Sequence, residues 1–321
     1  MKGRARAAHH SNETSLALFD EASQAAAGQV IGSYSTSFGM GAKLLPPRMR
    51  THIASIYAMV RIADEIVDTY QGADAGDVLD RFEAEVHRAM AGRFSADVIA
   101  HAFGLTARAT GIDRTLVDPF FASMRMDLTL DRHDAESYAR YIYGSAEVIG
   151  EMCLAVFLST PQGPGEVPED VRHGARQLGS AYQKINFLRD LGADVDSRGR
   201  VYFPGLDVTA LTDADVAQIV AECRTELAVA RGALAALPTR PRGAVLATVL
   251  IYEDLIRRIE ATDARRLART RVSVPRLTKI TLAASALRTA SKPGVAATVP
   301  PADGAEARKP TSTKAPGTGH A

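Results

Sequence analysis

Two sets of polar residues, each spaced by one helical turn inside an apolar segment, constrain this chain more than any other feature. Asp64 and Asp68 lie four residues apart in Arg61-Ile62-Ala63-Asp64-Glu65-Ile66-Val67-Asp68, and Asn186, Asp190 and Asp194 repeat the same spacing. At about 3.6 residues per turn, each set projects from one face of a helix. Tyr57 and Arg61 extend the first stripe, and Gln183 extends the second. Around the first, Ile53, Ile56, Tyr57, Val60 and Val67 recur at helical intervals, the mark of a buried face. Like charges one turn apart repel by a few tenths of a kcal/mol on an exposed helix, and by more when half-buried. A hard divalent cation held by carboxylate and amide oxygens offsets that repulsion, and Mg²⁺ favours few carboxylates plus substrate phosphates. Arg61 and Arg189 stand beside the stripes, and a guanidinium fork matches phosphate oxygens two at a time. A lone aspartate pair is usually a solvated helix face. Two such stripes on apolar helices point instead to a cavity between them, with Mg²⁺ at its mouth and a phosphorylated, otherwise apolar ligand.

The rest of the chain reads as helix. Apolar residues make up 46% of it, but aromatics only 6% with no Trp, so the core must be Ala, Leu, Val and Ile, a bias toward helix. Helical periodicity runs through 175–191, 213–237 and 243–271, with breaks at 46–47, 72–76, 161–168 and 238–241. Strand alternation is scarce, so the expected architecture is all-α, one domain spanning 16–290. A polar arm (1–15) precedes it, and a Pro/Ala/Thr-rich tail (291–321) lacks the apolar content to offset its ordering entropy. A balance of 38 basic against 37 acidic residues gives no reason to bind nucleic acid. Two cysteines exclude a disulfide scaffold, and Cys153 reads as core rather than nucleophile. No apolar run approaches the roughly 20 residues of a membrane span, and no signal peptide is evident, so a cytoplasmic location is expected. His52, His87, His101, His133 and His173 show no paired metal spacing, and His9-His10 reads as solvated arm. Met124 and Met126, beside Phe120 and Phe121, suit either core packing or an apolar tunnel.

The two stripes resemble the aspartate-rich motifs of the squalene/phytoene synthase family. The likeness continues through Arg200-Val201-Tyr202-Phe203-Pro204, the Tyr34–Phe38 stretch with Leu44 to Pro46, Tyr141 to Gly150, Tyr252, and Arg271 to Pro275. It spans about 30–280 in the family's order. The resemblance implies an all-α isoprenoid synthase bundle with a central cavity. It also implies a prenyltransferase that joins two prenyl diphosphates head to head through a cyclopropylcarbinyl diphosphate. By position, Asp64, Asp68, Asn186 and Asp190 would hold Mg²⁺ (or Mn²⁺), with Asp194 in support. Tyr57, Arg61, Asp64, Asp68 and Asp190 would carry the chemistry. Ser35, Ser37, Tyr57, Arg61, Gln183, Arg189 and Tyr252 would contact substrate.

The leading expectation is two geranylgeranyl diphosphates joined to phytoene for carotenoid biosynthesis, with no NADPH. The alternative is farnesyl diphosphate and a C30 product: squalene, dehydrosqualene or presqualene diphosphate. A terpene cyclase or a plain helical scaffold fits the stripes less well. A water-insoluble product implies reversible attachment to the inner face of the cell membrane, aided by Arg308, Lys309 and Lys314, and a downstream desaturase as partner. Glu147 stands where the family pattern leads one to expect a small residue, placing a charge near the expected cavity. Ala193 stands where an acidic residue is common, and 262–266 lacks the aromatic pattern expected after Tyr252. The small residues Gly39, Gly41 and Ala42 either leave tunnel volume for a C20 chain or permit close helix contact.

Overall fold

The computed structural model describes residues 15–35, 37–70, 72–198 and 200–291, with backbone alone at 37 and 193–198. The expected arm and tail lie outside the described residues apart from Ser15 and Ser291. Helix α1 (Leu16–Tyr34) opens on Ser15, whose hydroxyl accepts from Leu18 N at 3.2 Å. A short α2 (Ser37–Lys43) leads to α3 (Pro47–Asp68), which starts on a proline where no N–H is needed. Then come α4 (Ala75–Met90), α5 (Val98–Thr110), α6 (Arg114–Asp127) and α7 (Ala135–Ile142). A π-turn (Tyr143–Glu147) joins α7 to α8 (Val148–Leu158). The 30-residue α9 (Glu169–Arg198) follows, then α10 (Asp213–Ala233), α11 (Thr239–Glu260), α12 (Ala264–Leu267) and α13 (Arg276–Ala290). No strand forms among the described residues, so the all-α expectation holds.

Local chemistry explains most boundaries. Asp134 and Thr212 form reciprocal capping boxes with Ser137 and Asp215, and Asp97 accepts from Ile99 N and Ala100 N. Two expected helices end earlier than the periodicity suggests. The 243–271 run breaks after Glu260, because the Asp263 carboxylate caps Arg265 N at 2.8 Å and starts α12 afresh. The 213–237 run stops at Ala233 and tightens into a 3₁₀ turn before Pro238. The stretch Ala135–Leu158 is long and apolar enough to cross a membrane by length and composition alone, but Glu136, Arg140, Glu147 and Glu151 interrupt it and 56% of its most apolar 18-residue window is buried inside the fold.

Three apolar clusters organise the bundle. The first gathers Ile31, Ile53, Ile56, Phe103, Phe120, Phe121 and Met152 from α1, α3, α5, α6 and α8. The second gathers Tyr141, Ile185, Leu188, Ile219, Ile256 and Ile259 from α7, α9, α10 and α11. A third joins Leu154, Val171 and Val249 with Ala283 and Ala286 of α13. The first polar stripe therefore rides on the first cluster and the second stripe on the second. The α7–α8 rod is wedged between them. A Cβ on Gly144 would come within 2.1 Å of Pro119 O, and one on Gly179 of α9 within 2.3 Å of Ala146 O. Those contacts bring three backbones together without side chains in the way.

Candidate active site

Between α3, α6, the α7–π-turn segment and α9 lies a cavity of about 170 Å³. Tyr57, Val60, Arg61 and Asp64 line it from the first stripe, Gln183 from the second, and Phe120, Met124, Tyr141 and Ser145 from the helices between. Arg61, Asp64 and Gln183 make one part polar, while Val60, Phe120 and Met124 make another apolar. Residues 126 apart in sequence thus face one space, as the spacing of the stripes leads one to expect. Met124 is both buried core and cavity lining, whereas Met126 packs on the second cluster.

Asp64, Asp68 and Asp190 are each held by arginine. Arg61 donates to Asp64 Oδ2 at 2.7 Å, pairs with Glu65, and lies 4.4 Å above the Tyr34 ring. Burial opposes the Arg61 charge, but Asp64 and Glu65 outweigh it and its pKa rises. Asp68 meets Arg200 Nη1 at 2.5 Å, and Arg200 Nη2 donates to Asp127 O at 2.8 Å. Asp190 accepts from Arg189 Nε at 3.0 Å and lies 2.8 Å from Arg271 Nε. Burial and then the Arg189 and Arg271 charges hold the Lys279 ammonium below its usual range.

The neutral partners are equally ordered. Tyr252 donates its hydroxyl to Asn186 Oδ1 at 3.1 Å and stacks on Tyr182 with ring centres 3.8 Å apart. Tyr57 stacks on Phe38 at 5.8 Å and hydrogen-bonds Ser35, and burial raises its hydroxyl pKa. Ser35 Oγ also accepts from Gly39 N at 3.2 Å. Ser37 begins α2, and α9 carries Asp194 one turn beyond Asp190; both side chains lie outside the described residues.

Below Asp68, Asp127 is buried with Tyr141, whose hydroxyl donates to Asp127 Oδ2 at 2.9 Å. Burial pushes this carboxyl up to about 7, against the pull of Arg200 and the Tyr141 hydrogen bond. Sequence reasoning misses Asp127 and Lys279, and includes Tyr141, Arg200 and Arg271 only as parts of family segments. None shares the stripes' spacing. Asp127, Tyr141 and Lys279 come from other helices and Arg200 and Arg271 from connecting segments, so no single spacing links them.

Four expectations are corrected. Glu147 does not line the cavity; its charged neighbours are Arg176, Glu226, Lys184 and Glu151, and burial raises its pKa. Gly41 serves close packing, since a Cβ there would come within 2.7 Å of Thr248 Cγ2 on α11, whereas one on Gly39 would meet only ordinary contacts from 3.6 Å. Ala42 is 6% exposed core and not cavity lining, which removes the steric argument that it gauges chain length. His87 does have metal-type neighbours: one ligand atom each from Glu83, His87 and Asp118 lie within 4.8 Å of one another. Arg125 pairs with Glu83 and Arg114 with Asp118, and none of the three lines the cavity.

The donor set of the stripes is all hard oxygen, from Asp64, Asp68, Asn186 and Asp190, which suits a divalent cation of the Mg²⁺ type. Such a fold, with Tyr57, Arg61 and Asp64 of the first stripe and Gln183 of the second lining one cavity, has known counterparts. The family model for squalene/phytoene synthase matches residues 31–278, and the chain belongs to that family. Among curated relatives, "Phytoene synthase, chloroplastic" of Oncidium hybrid cultivar is 31% identical over 74% of this chain. "Phytoene synthase 2, chloroplastic" of Solanum lycopersicum is 30% identical over 75% of this chain and 83% of its own length. The chain spans 61% of the Oncidium protein's length and 59% of that of a Narcissus pseudonarcissus phytoene synthase. Among solved structures, a dehydrosqualene synthase in complex with ligand superposes with a TM-score of 0.71 at 19% identity, covering 83% of this chain and 96% of its own. A squalene synthase from Alicyclobacillus acidocaldarius gives 0.67 at 20% identity, covering 78% and 96%. At those identities the structures establish the fold.

Proposed function

We propose that this chain is a Mg²⁺-dependent prenyltransferase that condenses two geranylgeranyl diphosphates head to head into phytoene. The observation that carries this reading is the shared cavity, where Arg61, Asp64 and Gln183 meet Val60, Phe120 and Met124. The relatives' name, phytoene synthase, favours the C20 substrate. Asp64, Asp68, Asn186 and Asp190 would hold the metal, with Asp194 in support; Mn²⁺ has the same ligand preferences. Bound there, Mg²⁺ supplies positive charge to the departing diphosphate oxygens.

The chain's own residues do the rest. Arg61 and Arg189, now engaged with the aspartates, are placed to turn toward phosphate oxygens once a cation takes their places. Arg200 and Arg271 anchor Asp68 and Asp190 so that the ligand oxygens are set before substrate arrives. Tyr57, Ser35, Gln183 and Tyr252 orient the head of each substrate. Phe120, Met124 and Val60 exclude water from the allylic cation, which water would otherwise capture. In the first half, one C–O bond breaks, the other substrate's double bond forms new C–C bonds, and one proton leaves. In the second, the remaining C–O bond breaks and rearrangement expels another proton. Two diphosphates and two protons depart, so the electrons balance without NADPH.

A cavity of about 170 Å³ is small beside the roughly 300–1,000 Å³ of typical ligand pockets. Its polar lining suits a diphosphate head. The water-insoluble product argues for reversible attachment to the cytoplasmic face of a membrane and for a desaturase as its next enzyme. The test is purified protein with Mg²⁺, no NADPH, and either the C20 or the C15 diphosphate, with product mass and released diphosphate measured. A C40 hydrocarbon from the C20 substrate is expected. Faster turnover of the C15 substrate would move the assignment to the C30 alternative, and no diphosphate release with either would overturn it.

A further inference from the structure

The segment from Ala264 to Ser291 contains seven basic residues and no acidic one, in a chain whose net charge is +1. Elsewhere many arginines are matched: Arg61, Arg125, Arg172, Arg200, Arg231 and Arg258 each meet a carboxylate. Here Arg265, Arg266, Arg269, Arg276 and Arg288 are exposed and meet no carboxylate among the described residues. Next to them stand two of the most exposed large apolar side chains, Leu277 at 77% and Ile280 at 48%. Three residues apart on α13, they share one face with Ala284 and Arg288, while Ala283, Ala286 and Ala290 pack inward against α11. The result is an amphipathic edge turned inside out, with apolar side chains in solvent inside a cationic field.

We propose that this edge, α12 with the start of α13, docks the protein on an anionic lipid surface, Leu277 and Ile280 entering the interface while the arginines meet lipid phosphates. Charge complementarity commits the occupant to a membrane rather than a second copy, since two such edges would repel each other. The edge is continuous with the site, because Arg271 of the same segment contacts Asp190. Docking there would place the diphosphate end of the cavity close to the leaflet that holds a prenyl diphosphate. The proposal deepens the functional reading only in giving a membrane-borne substrate and product their point of entry; the binding itself requires no turnover.

Co-sedimentation of the full chain with vesicles of phosphatidylcholine alone, or mixed equally with phosphatidylglycerol, tests it without substrate. Binding is expected on the mixed vesicles at low salt, and it should weaken steeply as salt rises. L277S/I280S, which leaves the charge unchanged, should weaken it about tenfold or more. R265Q, R266Q, R269Q and R276Q should each weaken it about fivefold. R308Q/K309Q/K314Q, in the tail, should leave most of it. Circular dichroism and diphosphate release from detergent-dispersed substrate check that variants remain folded. Absence of vesicle binding at low salt, equal binding by L277S/I280S, or loss only in the tail variant would each overturn the proposal. So would capture of DNA in preference to vesicles. Vesicle binding without diphosphate release would instead sink the catalytic reading and leave the docking edge standing.

Discussion

Arg200 Nη1 and Asp68 Oδ1 lie 2.5 Å apart, a contact across 132 residues that ties the segment after the second stripe to the end of the first. Its side chains are only 10% and 12% exposed, and the same guanidinium caps the end of α6 through Asp127 O. Arg200→Gln removes a largely buried charge partner of Asp68, a change that costs about 3 kcal/mol. A fall in urea midpoint together with a fall in kcat/KM is expected, and Arg200→Lys should restore part of both. Wild-type values for the Gln variant would show that the pair does not hold the site.

Asp64→Asn and Asp190→Asn remove charge with little change of shape. Folding should survive, while turnover at saturating Mg²⁺ falls about 10²–10³-fold, as for loss of a key charge-stabilising contact. Near-normal turnover in both would count against the metal face.

Asp127 gives a pH signature. Its folded pKa of about 7 exceeds the ordinary 3.8, so between these values the folded chain keeps a proton that the unfolded chain has lost. That contribution to stability is present below about pH 4 and is lost as pH rises through about 7. Asp127→Asn keeps an acceptor for Tyr141 but cannot ionise. Urea midpoints measured across this range should fall less with pH in the variant than in the wild type. Parallel profiles would contradict the assignment.

Gly144→Ala tests the wedge. Its new methyl meets Pro119 O and Ser123 Oγ, both at 2.1 Å, and neither is the end of a long flexible side chain. Overpacking of this kind costs about 1–3 kcal/mol. A melting temperature several degrees lower is expected, and an unchanged one would mean that α6 and α7 separate freely.

Much of this architecture is legible in the sequence, for a simple reason. Helix-period apolar residues and one-turn polar spacing are local signals, and α3 and α9 carry both. The stripes therefore announce themselves, as does the expectation that Tyr57, Arg61, Asp64 and Gln183 face a common space. Contacts between elements are not local. Nothing about Asp127 in isolation shows that Arg200 will arrive above it, and nothing about Arg271 shows that it will reach Asp190. The α2 glycines fail for a related reason: small residues leave room equally for a ligand or for a neighbouring helix, and only Thr248 at Gly41 decides which. The charged neighbours of Glu147 on α9 and α10 lie far along the chain, so its surroundings are equally hidden in the sequence.

The π-turn at 143–147 has its own consequence. Each residue of an ordinary helix advances about 100°, and the wider turn shifts the phase between what precedes and follows it. Tyr141 and Ser145 stay on the cavity, while Val148, Met152 and Val156 beyond them fall into the first core cluster. A π-turn holds one residue more than an α-turn over nearly the same rotation, so losing a residue from 143–147 would let an ordinary α-turn form and leave that row in the core. Losing one from α8 just beyond it would instead swing the residues that follow by about 100° and out of the core.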